Sequence, residues 1–168
     1  MKKYFSYITT AREVCQKPCI VDFEGHPYTS FCNSYSLVLT KEPCGTIRLF
    51  TDVDRYPNMT RLVKYDGVER KVDLTKVFAE AKSVGYKLKK SEVNSNGYLM
   101  RYDGSYYRIG LVESAYKIID DGEEATIFHV EGAKFSPITI QTEFGVAVVM
   151  AVRYEPEEGD GVVIIEVE

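Results

Sequence analysis

The chain contains 168 residues, of which 45% are hydrophobic, 27% charged and 12% aromatic. These values are typical of one globular domain, and they exclude a disordered chain, a collagen-like chain and a coiled coil. The net charge of −4 argues against a protein that is held on nucleic acid by its overall charge.

The N-terminal part of the sequence predicts one helix followed by four strands. Apolar residues at helical spacing place the helix at about residues 4–16, and Pro18 stops it. Turn-forming residues separate the strands. The four predicted strands are Cys19–Glu24, Tyr28–Cys32, Tyr35–Thr40 and Thr46–Phe50.

The middle of the sequence predicts a second helix and a hairpin. Asp73 is suited to cap this helix, apolar residues recur at helical spacing over residues 74–84, and Gly85 can end it. The strands Tyr98–Tyr102 and Tyr106–Ile109 flank Asp103-Gly104, a strong hairpin signal.

The last part predicts a third helix over about residues 111–119, followed by strands. These strands are Ala125–Val130, Pro137–Thr142, Val146–Arg153 and Val162–Val167. Because helices interrupt runs of hairpins, the pattern predicts an α+β fold with mostly antiparallel sheet. With no low-complexity linker, residues 1–168 are expected to form one domain.

The sequence carries no recognisable signal for export or for a membrane. Thr9, Thr10 and Arg12 interrupt the apolar residues near the N-terminus, and no window approaches 18 apolar residues. We therefore expect a cytoplasmic protein with no membrane partner. Free thiols are then expected at Cys15, Cys19, Cys32 and Cys44, with a metal site as the alternative, although the usual Cys-x2-Cys spacing is missing.

Candidates for catalysis are few, and the sequence predicts no enzyme, cofactor or resident metal. Asp52 and Asp54 have the spacing of two carboxylates that could share a divalent ion, so a small metal-dependent enzyme is one alternative. An ordinary loop is the other interpretation. His26 and His129 are the only histidines, and neither belongs to a nucleophile motif.

Four tyrosines cluster around the predicted hairpin of residues 98–109. They are Tyr98, Tyr102, Tyr106 and Tyr107. Such residues are typical of half-buried sheet positions, and they could also form a platform for bases or a groove for a peptide.

The segment Tyr98–Arg153 resembles the last half-domain of the bacterial DNA sliding clamp, the beta subunit of DNA polymerase III. A strand, Tyr106-Tyr107-Arg108-Ile109, leads into a helix, and Ser136-Pro137-Ile138-Thr139-Ile140 resembles the family's "P-x-x-I" strand. Val148-Val149-Met150-Ala151-Val152-Arg153 resembles its closing strand, with Ala151 in place of proline. Two earlier segments, 25–39 and 56–63, also resemble parts of this family.

The resemblance implies a DNA-clamp-like domain of two β-α-β-β-β halves, at about residues 1–63 and 64–153, with an added C-terminal strand at 162–167. It implies a non-enzymatic DNA-associated protein, such as a replication processivity or accessory factor, that contacts double-stranded DNA and forms a homo-oligomer. The expected phosphate contacts are Lys76, Lys82, Lys87, Lys89 and Lys90, which cluster in an otherwise acidic chain. An ordinary solvated helix face is the alternative explanation of these lysines. The resemblance also assigns binding of a polymerase-type peptide to Met150, Val152 and Arg153.

The chain departs from the family in length and in the charge of its third helix. A bacterial clamp subunit contains three such domains, whereas this chain has room for one. Around the third helix, acidic residues outnumber Lys117 and form a poor surface for phosphate; these are Glu113, Asp120, Asp121, Glu123 and Glu124. The alternative function is therefore a protein-binding module that keeps the clamp-like fold and does not encircle DNA.

Overall fold

The computed structural model describes residues 19–32, 35–41, 59–89, 93 and 95–167. Within these residues the chain forms ten strands, two helices and one 3-10 turn. The strands are β1 (Cys19–Phe23), β2 (His26–Cys32), β3 (Ser36–Thr40), β4 (Val68–Val72), β5 (Tyr98–Tyr102), β6 (Ser105–Arg108), β7 (Ala125–His129), β8 (Ile138–Gln141), β9 (Gly145–Val149) and β10 (Val163–Val167). The helices are α1 (Leu74–Ser83) and α2 (Ile109–Ile119), and the 3-10 turn is Met59–Leu62.

The predicted α+β class and the mostly antiparallel sheet are confirmed. Seven strands form one antiparallel sheet in the order β1-β2-β3-β9-β8-β7-β4. At its centre β3 pairs with β9, and Val38 lies opposite Ala147. The large sheet therefore combines strands from both sides of residue 63.

A smaller sheet contains β10, β5 and β6 in that order. β5 and β6 form the predicted hairpin, and its turn residues Asp103 and Gly104 have φ angles of 44° and 73°. Both positive angles are those of a tight turn whose twist matches the strands. β10 pairs with β5 in parallel, the one parallel pairing among the described strands.

Helix α2 is buried on nearly all sides because it contacts both sheets. It contacts β3 and β9 of the large sheet and β5 and β6 of the small sheet. Its sequence, IGLVESAYKII, is apolar around most of its circumference, which is the pattern of an internal helix. Of its residues only Lys117 is not buried.

Helix α1 is amphipathic and packs beside α2. The Asp73 side chain accepts hydrogen bonds from the backbone N–H groups of Thr75 and Lys76, at 3.1 Å and 3.2 Å. The predicted cap is therefore confirmed. Gly85 follows the helix with a φ of 102°, which favours glycine at this position. The residues that α1 buries are Leu74, Val77, Phe78 and Ala81.

A buried carboxylate joins the two helices. The Glu113 side chain on α2 is only 1% exposed, and its Oε1 atom lies 3.0 Å from Lys82 Nζ on α1 and 2.9 Å from Lys117 Nζ. Burial alone would raise the pKa of Glu113, but hydrogen bonds from Lys117, Lys82 and Tyr86 outweigh it, so this pKa lies below its ordinary value. Glu113 is therefore ionised inside the protein.

The face of the large sheet that points away from α2 carries a second apolar cluster. Its members are Phe23, Tyr28, Cys32, Leu37, Leu39, Val146 and Val148. Val63 packs against this cluster. The Tyr65 ring packs edge-on against the Phe128 ring, with 5.1 Å between the ring centres. The segment that follows the 3-10 turn therefore runs across this outer face.

Several predicted boundaries differ from the structure, and two predicted elements lie outside the described residues. The predicted helix at 4–16 and the predicted strand Thr46–Phe50 lie outside the described residues. The first hairpin turns at Glu24-Gly25 instead of Gly25-His26-Pro27, because φ angles of 54° and 78° make this a two-residue turn. β9 ends at Val149, four residues before the predicted end at Arg153, because the chain then crosses to the small sheet.

We expect Glu113→Gln to lower the free energy of unfolding by about 1–3 kcal/mol, because it removes charged hydrogen bonds from a buried position. The effect should stay below that of a wholly buried ion pair, since both lysines reach solvent. Urea denaturation followed by circular dichroism measures this value. Glu80→Gln on the exposed side of α1 is the control and should change it by less than about 0.5 kcal/mol. Equal effects of both changes would contradict the assignment of Glu113 as a buried, ionised carboxylate that joins the two helices.

The difference in stability between wild type and Glu113→Gln should depend on pH. Because the folded pKa of Glu113 lies below its ordinary value of 4.5, its contribution is complete above that value and is lost as pH falls through the folded pKa. Urea denaturation of both proteins between neutral and strongly acidic pH should show the difference shrinking only at the acidic end. A difference that grows as pH falls would have the wrong sign for an ionised Glu113.

Candidate partner-binding surface

The lysines that the sequence assigned to phosphate lie on or just after α1. Lys76, Lys82, Lys87 and Lys89 are exposed, and Lys90 lies outside the described residues. Lys76 Nζ is 3.3 Å from an Asp73 carboxylate oxygen, and Lys82 is bound to Glu113. Within the described part of the chain, Lys87 and Lys89 have no ion pair. Among the described lysines of this group, Lys87 and Lys89 are thus the ones whose charge no ion pair balances.

Helix α2 offers no open face to a nucleic acid. The sequence placed Glu113 on a charged surface of this helix, and that expectation is wrong, since Glu113 points inward and pairs with Lys82 and Lys117. The reason is that α2 lies between two sheets, and Lys117 is its only residue that is not buried. Any phosphate contact in this region therefore depends on α1 and the residues after it.

Met150, Val152 and Arg153 belong to a segment that connects the two sheets. The Met150 N–H donates to the Tyr35 carbonyl at 2.9 Å, and the Val152 N–H donates to the Tyr106 carbonyl at 2.8 Å. These bonds fix the backbone at both ends of the segment. Val152 is buried at 8% exposure, whereas Met150 is 37% exposed and Arg153 is exposed. Two of the three predicted partner-binding residues are therefore open to solvent, and Val152 holds the segment in place.

Phe135, an aromatic residue whose backbone conformation is unfavourable, lies beside this segment. Phe135 is 44% exposed and has a φ of 62°, a conformation that bulky residues rarely adopt. The Arg153 guanidinium lies over its ring at 5.5 Å. The loop that contains Phe135 is held by the Tyr107 hydroxyl, which donates to the carbonyl of the next residue, Ser136, at 2.7 Å. Backbone strain of this kind occurs often at binding sites.

Arginine and tyrosine side chains continue the surface on the small sheet. The Arg108 guanidinium lies over the Tyr35 ring at 4.9 Å. The Tyr106 ring packs edge-on against the Tyr154 ring, with 5.1 Å between the ring centres. We define the 150–154 surface as residues 150–154 with their neighbours Tyr35, Tyr106, Arg108 and Phe135. Methionine, arginine and aromatic residues are the types enriched where proteins bind one another.

The four tyrosines around the hairpin divide into two groups. Tyr102 and Tyr107 are buried in the core at 1% and 0% exposure, and burial raises the pKa of both. Tyr98 is half-buried and packs against Tyr86 at 5.4 Å. Only Tyr106 belongs to the 150–154 surface, so the cluster does not form a continuous stacking platform.

The structure pairs His129 with an aspartate that is distant in sequence. His129 Nδ1 lies 3.0 Å from Asp103 Oδ2, and the Gly132 N–H also donates to this oxygen at 3.3 Å. His129 is 2% exposed and packs edge-on against Tyr102. The pair fastens the hairpin turn to the end of β7. His26, by contrast, is exposed.

The structure describes only two of the six residues considered for metal binding. Asp52, Asp54, Cys15 and Cys44 lie outside the described residues, so their roles stay predictions. Cys19 and Cys32 are buried, at 0% and 1% exposure. In the described ranges, no three histidine, cysteine or acidic side chains come together as a metal site would require.

Comparisons with known proteins add no relative. No family model, curated protein or solved structure matches the chain. Neither described helix is long and apolar enough to span a bilayer.

The sequence predicts a candidate site at Met150, Val152 and Arg153 but not the residues that surround it in the structure. Alternation along β6 could have shown that Tyr106 and Arg108 share a face. Tyr35 and Phe135 come from distant parts of the chain, and no sequence pattern connects them to this segment. The contribution of Tyr35 becomes visible only once the pairing of β3 with β9 is known. That of Phe135 becomes visible only from the contact of its ring with Arg153.

Proposed function

We propose that this chain is a non-enzymatic binding protein of clamp-like arrangement, whose partner docks on the 150–154 surface. The observation that carries the proposal is the bridging segment itself. Two backbone hydrogen bonds fix it between the sheets, at 2.9 Å and 2.8 Å, while Met150 stays exposed. A rigid backbone with exposed apolar side chains loses little conformational freedom when a partner binds.

The order of elements agrees with the clamp-like arrangement. β6, α2, β7, β8 and β9 follow one another as strand, helix and three strands, and β7, β8 and β9 are neighbours in the large sheet. This is the order that the resemblance to the sliding clamp implies for a half-domain. The division into halves at residues 1–63 and 64–153, and the relation to that family, are part of this proposal.

Peptides selected on the wild-type chain from a display library should bind through this surface. We expect Met150→Ala and Phe135→Ala to weaken binding of a selected peptide by about tenfold each, as for central residues of an interface. Fluorescence anisotropy with the labelled peptide measures the affinity.

Phe144→Ala provides the matched control. Phe144 is 42% exposed, close to the 44% of Phe135, and it precedes β9 at the end opposite Met150. Its substitution should leave the affinity unchanged. Failure to select any peptide, or equal losses in all three variants, would count against this function.

A second function, contact with double-stranded DNA, is favoured by Lys87 and Lys89. They are exposed just beyond α1 and carry no ion pair among the described residues, which suits them to phosphate contact. Lys76 and Lys82 would add their charge from α1 and are already partly balanced by acids. In this proposal several copies of the chain assemble, because one domain of this length cannot close around a duplex.

The dependence of DNA binding on salt tests the second function. Replacing Lys87 and Lys89 together by Gln should weaken binding to a DNA duplex and reduce the slope of log affinity against log salt by about 0.9 for each phosphate that is no longer neutralised. Lys64 and Lys134 are also exposed, and their joint replacement by Gln makes the same change of charge elsewhere. Equal effects of the two double variants, or a single-copy mass in light scattering with DNA present, would contradict encirclement.

A further inference from the structure

The outer face of the small sheet carries a row of charged and aromatic side chains. Arg101 on β5 lies directly opposite Tyr106 on β6 and opposite Glu166 on β10. Arg108 follows Tyr106 by two residues, so it lies on the same face. The opposite face of this sheet is buried in the core through Met100 and Tyr107.

Within this row the protein already binds one carboxylate with a stacked arginine. The Arg101 guanidinium lies 5.8 Å from the centre of the Tyr106 ring, and its Nη1 atom donates to Glu166 Oε1 at 3.1 Å. The ring orients the guanidinium, and the planar guanidinium can then present two parallel N–H groups to a carboxylate.

Arg108 repeats this arrangement without an acid. Its guanidinium lies 4.9 Å from the centre of the Tyr35 ring, and its Nε donates to Asn96 Oδ1 at 2.8 Å. The stack and the hydrogen bond hold the group from two directions. In the part of the chain that the structure describes, no carboxylate forms an ion pair with Arg108. The guanidinium of Arg108 is thus held in place as that of Arg101 is, by a tyrosine ring and a hydrogen bond, but no acid from these residues is bound to its terminal N–H groups.

The charges around the row favour a peptide over a nucleic acid. Tyr154, which packs against Tyr106, begins an acidic segment that includes Glu155, Glu157 and Asp160. A polyanion lying along the sheet would meet these acids and Glu166 as well as the arginines. A peptide with a carboxylate at one position can place it at Arg108 and keep its other residues on apolar Met150.

We propose that Arg108, stacked on Tyr35, is a receptor for an aspartate or glutamate side chain of the partner peptide. This inference rests on the proposed peptide-binding function and specifies the chemistry of its ligand. The contact between Arg101 and Glu166 shows the same interaction, a stacked arginine bound to a carboxylate, within the chain itself.

A double-mutant cycle with a selected peptide tests the inference. Peptides selected on the wild-type chain should contain Asp or Glu, and changing that residue to Asn or Gln should weaken binding to the wild type by about tenfold. The same change should have no effect on binding to Arg108→Gln. Arg108→Lys should behave like Arg108→Gln, because lysine keeps the charge but lacks the planar fork. Arg61→Gln, at an exposed position in the 3-10 turn, is the control and should leave the affinity unchanged.

The outcomes separate this inference from the function on which it rests. If the amide peptide binds the wild type as tightly as the acidic one while Met150→Ala still weakens both, the peptide-binding function stands and the role of Arg108 is overturned. If no peptide is selected, both fail. If an oligothymidylate displaces the peptide and itself requires Arg108, the partner is a nucleic acid and the inference is overturned.

Discussion

The burial of α2 between two sheets is the constraint on which the rest of this structure depends. An internal helix can satisfy its backbone hydrogen bonds by itself, but its side chains must find partners on every side. The apolar residues of α2 meet the large sheet through β3 and β9 and the small sheet through β5 and β6. Its one acidic residue, Glu113, has to be matched inside the protein, and Lys82 matches it from α1. This ion pair and the apolar face of α1, which is buried in the same core, together hold α1 against α2.

The same constraint places the proposed binding surface at the edge of the small sheet. Two sheets that enclose a helix need a connection around its end, and residues 150–154 provide one of them. Exposed apolar residues that occur singly are ordinary on protein surfaces. Here Met150, Phe135 and Tyr35 lie next to a backbone that is fixed by hydrogen bonds to both sheets. A connection that must be rigid for the fold is also suited to present side chains to a partner.

Local chemistry in the sequence predicts a large part of the fold. The Asp73 cap, the Asp103-Gly104 turn and the apolar spacing of residues 74–84 each depend on neighbours in sequence, and each element forms as expected. The pairing of β10 with β5 in parallel, and the contact between Lys82 and Glu113, connect distant residues, so periodicity carries no information about them. The candidate site divides in the same way. Met150 and Arg153 can be predicted from the segment, whereas Tyr35, Phe135 and the buried state of Glu113 require the tertiary arrangement.

The parallel pairing of β5 with β10 also bears on how the chain acquires its structure. Val163 lies opposite Tyr98, and all of α2, β7, β8 and β9 separates these two residues along the chain. In the large sheet, β3 likewise pairs with β9, which is distant in sequence and is synthesised much later. Such a high proportion of non-local contacts is associated with slow folding, since long loops must close before either sheet gains its stabilising contacts. During translation, therefore, β5 and β6 leave the ribosome with an unpaired edge. Until residues 163–167 follow, that edge is a place where a nascent chain can mispair or be held by a chaperone.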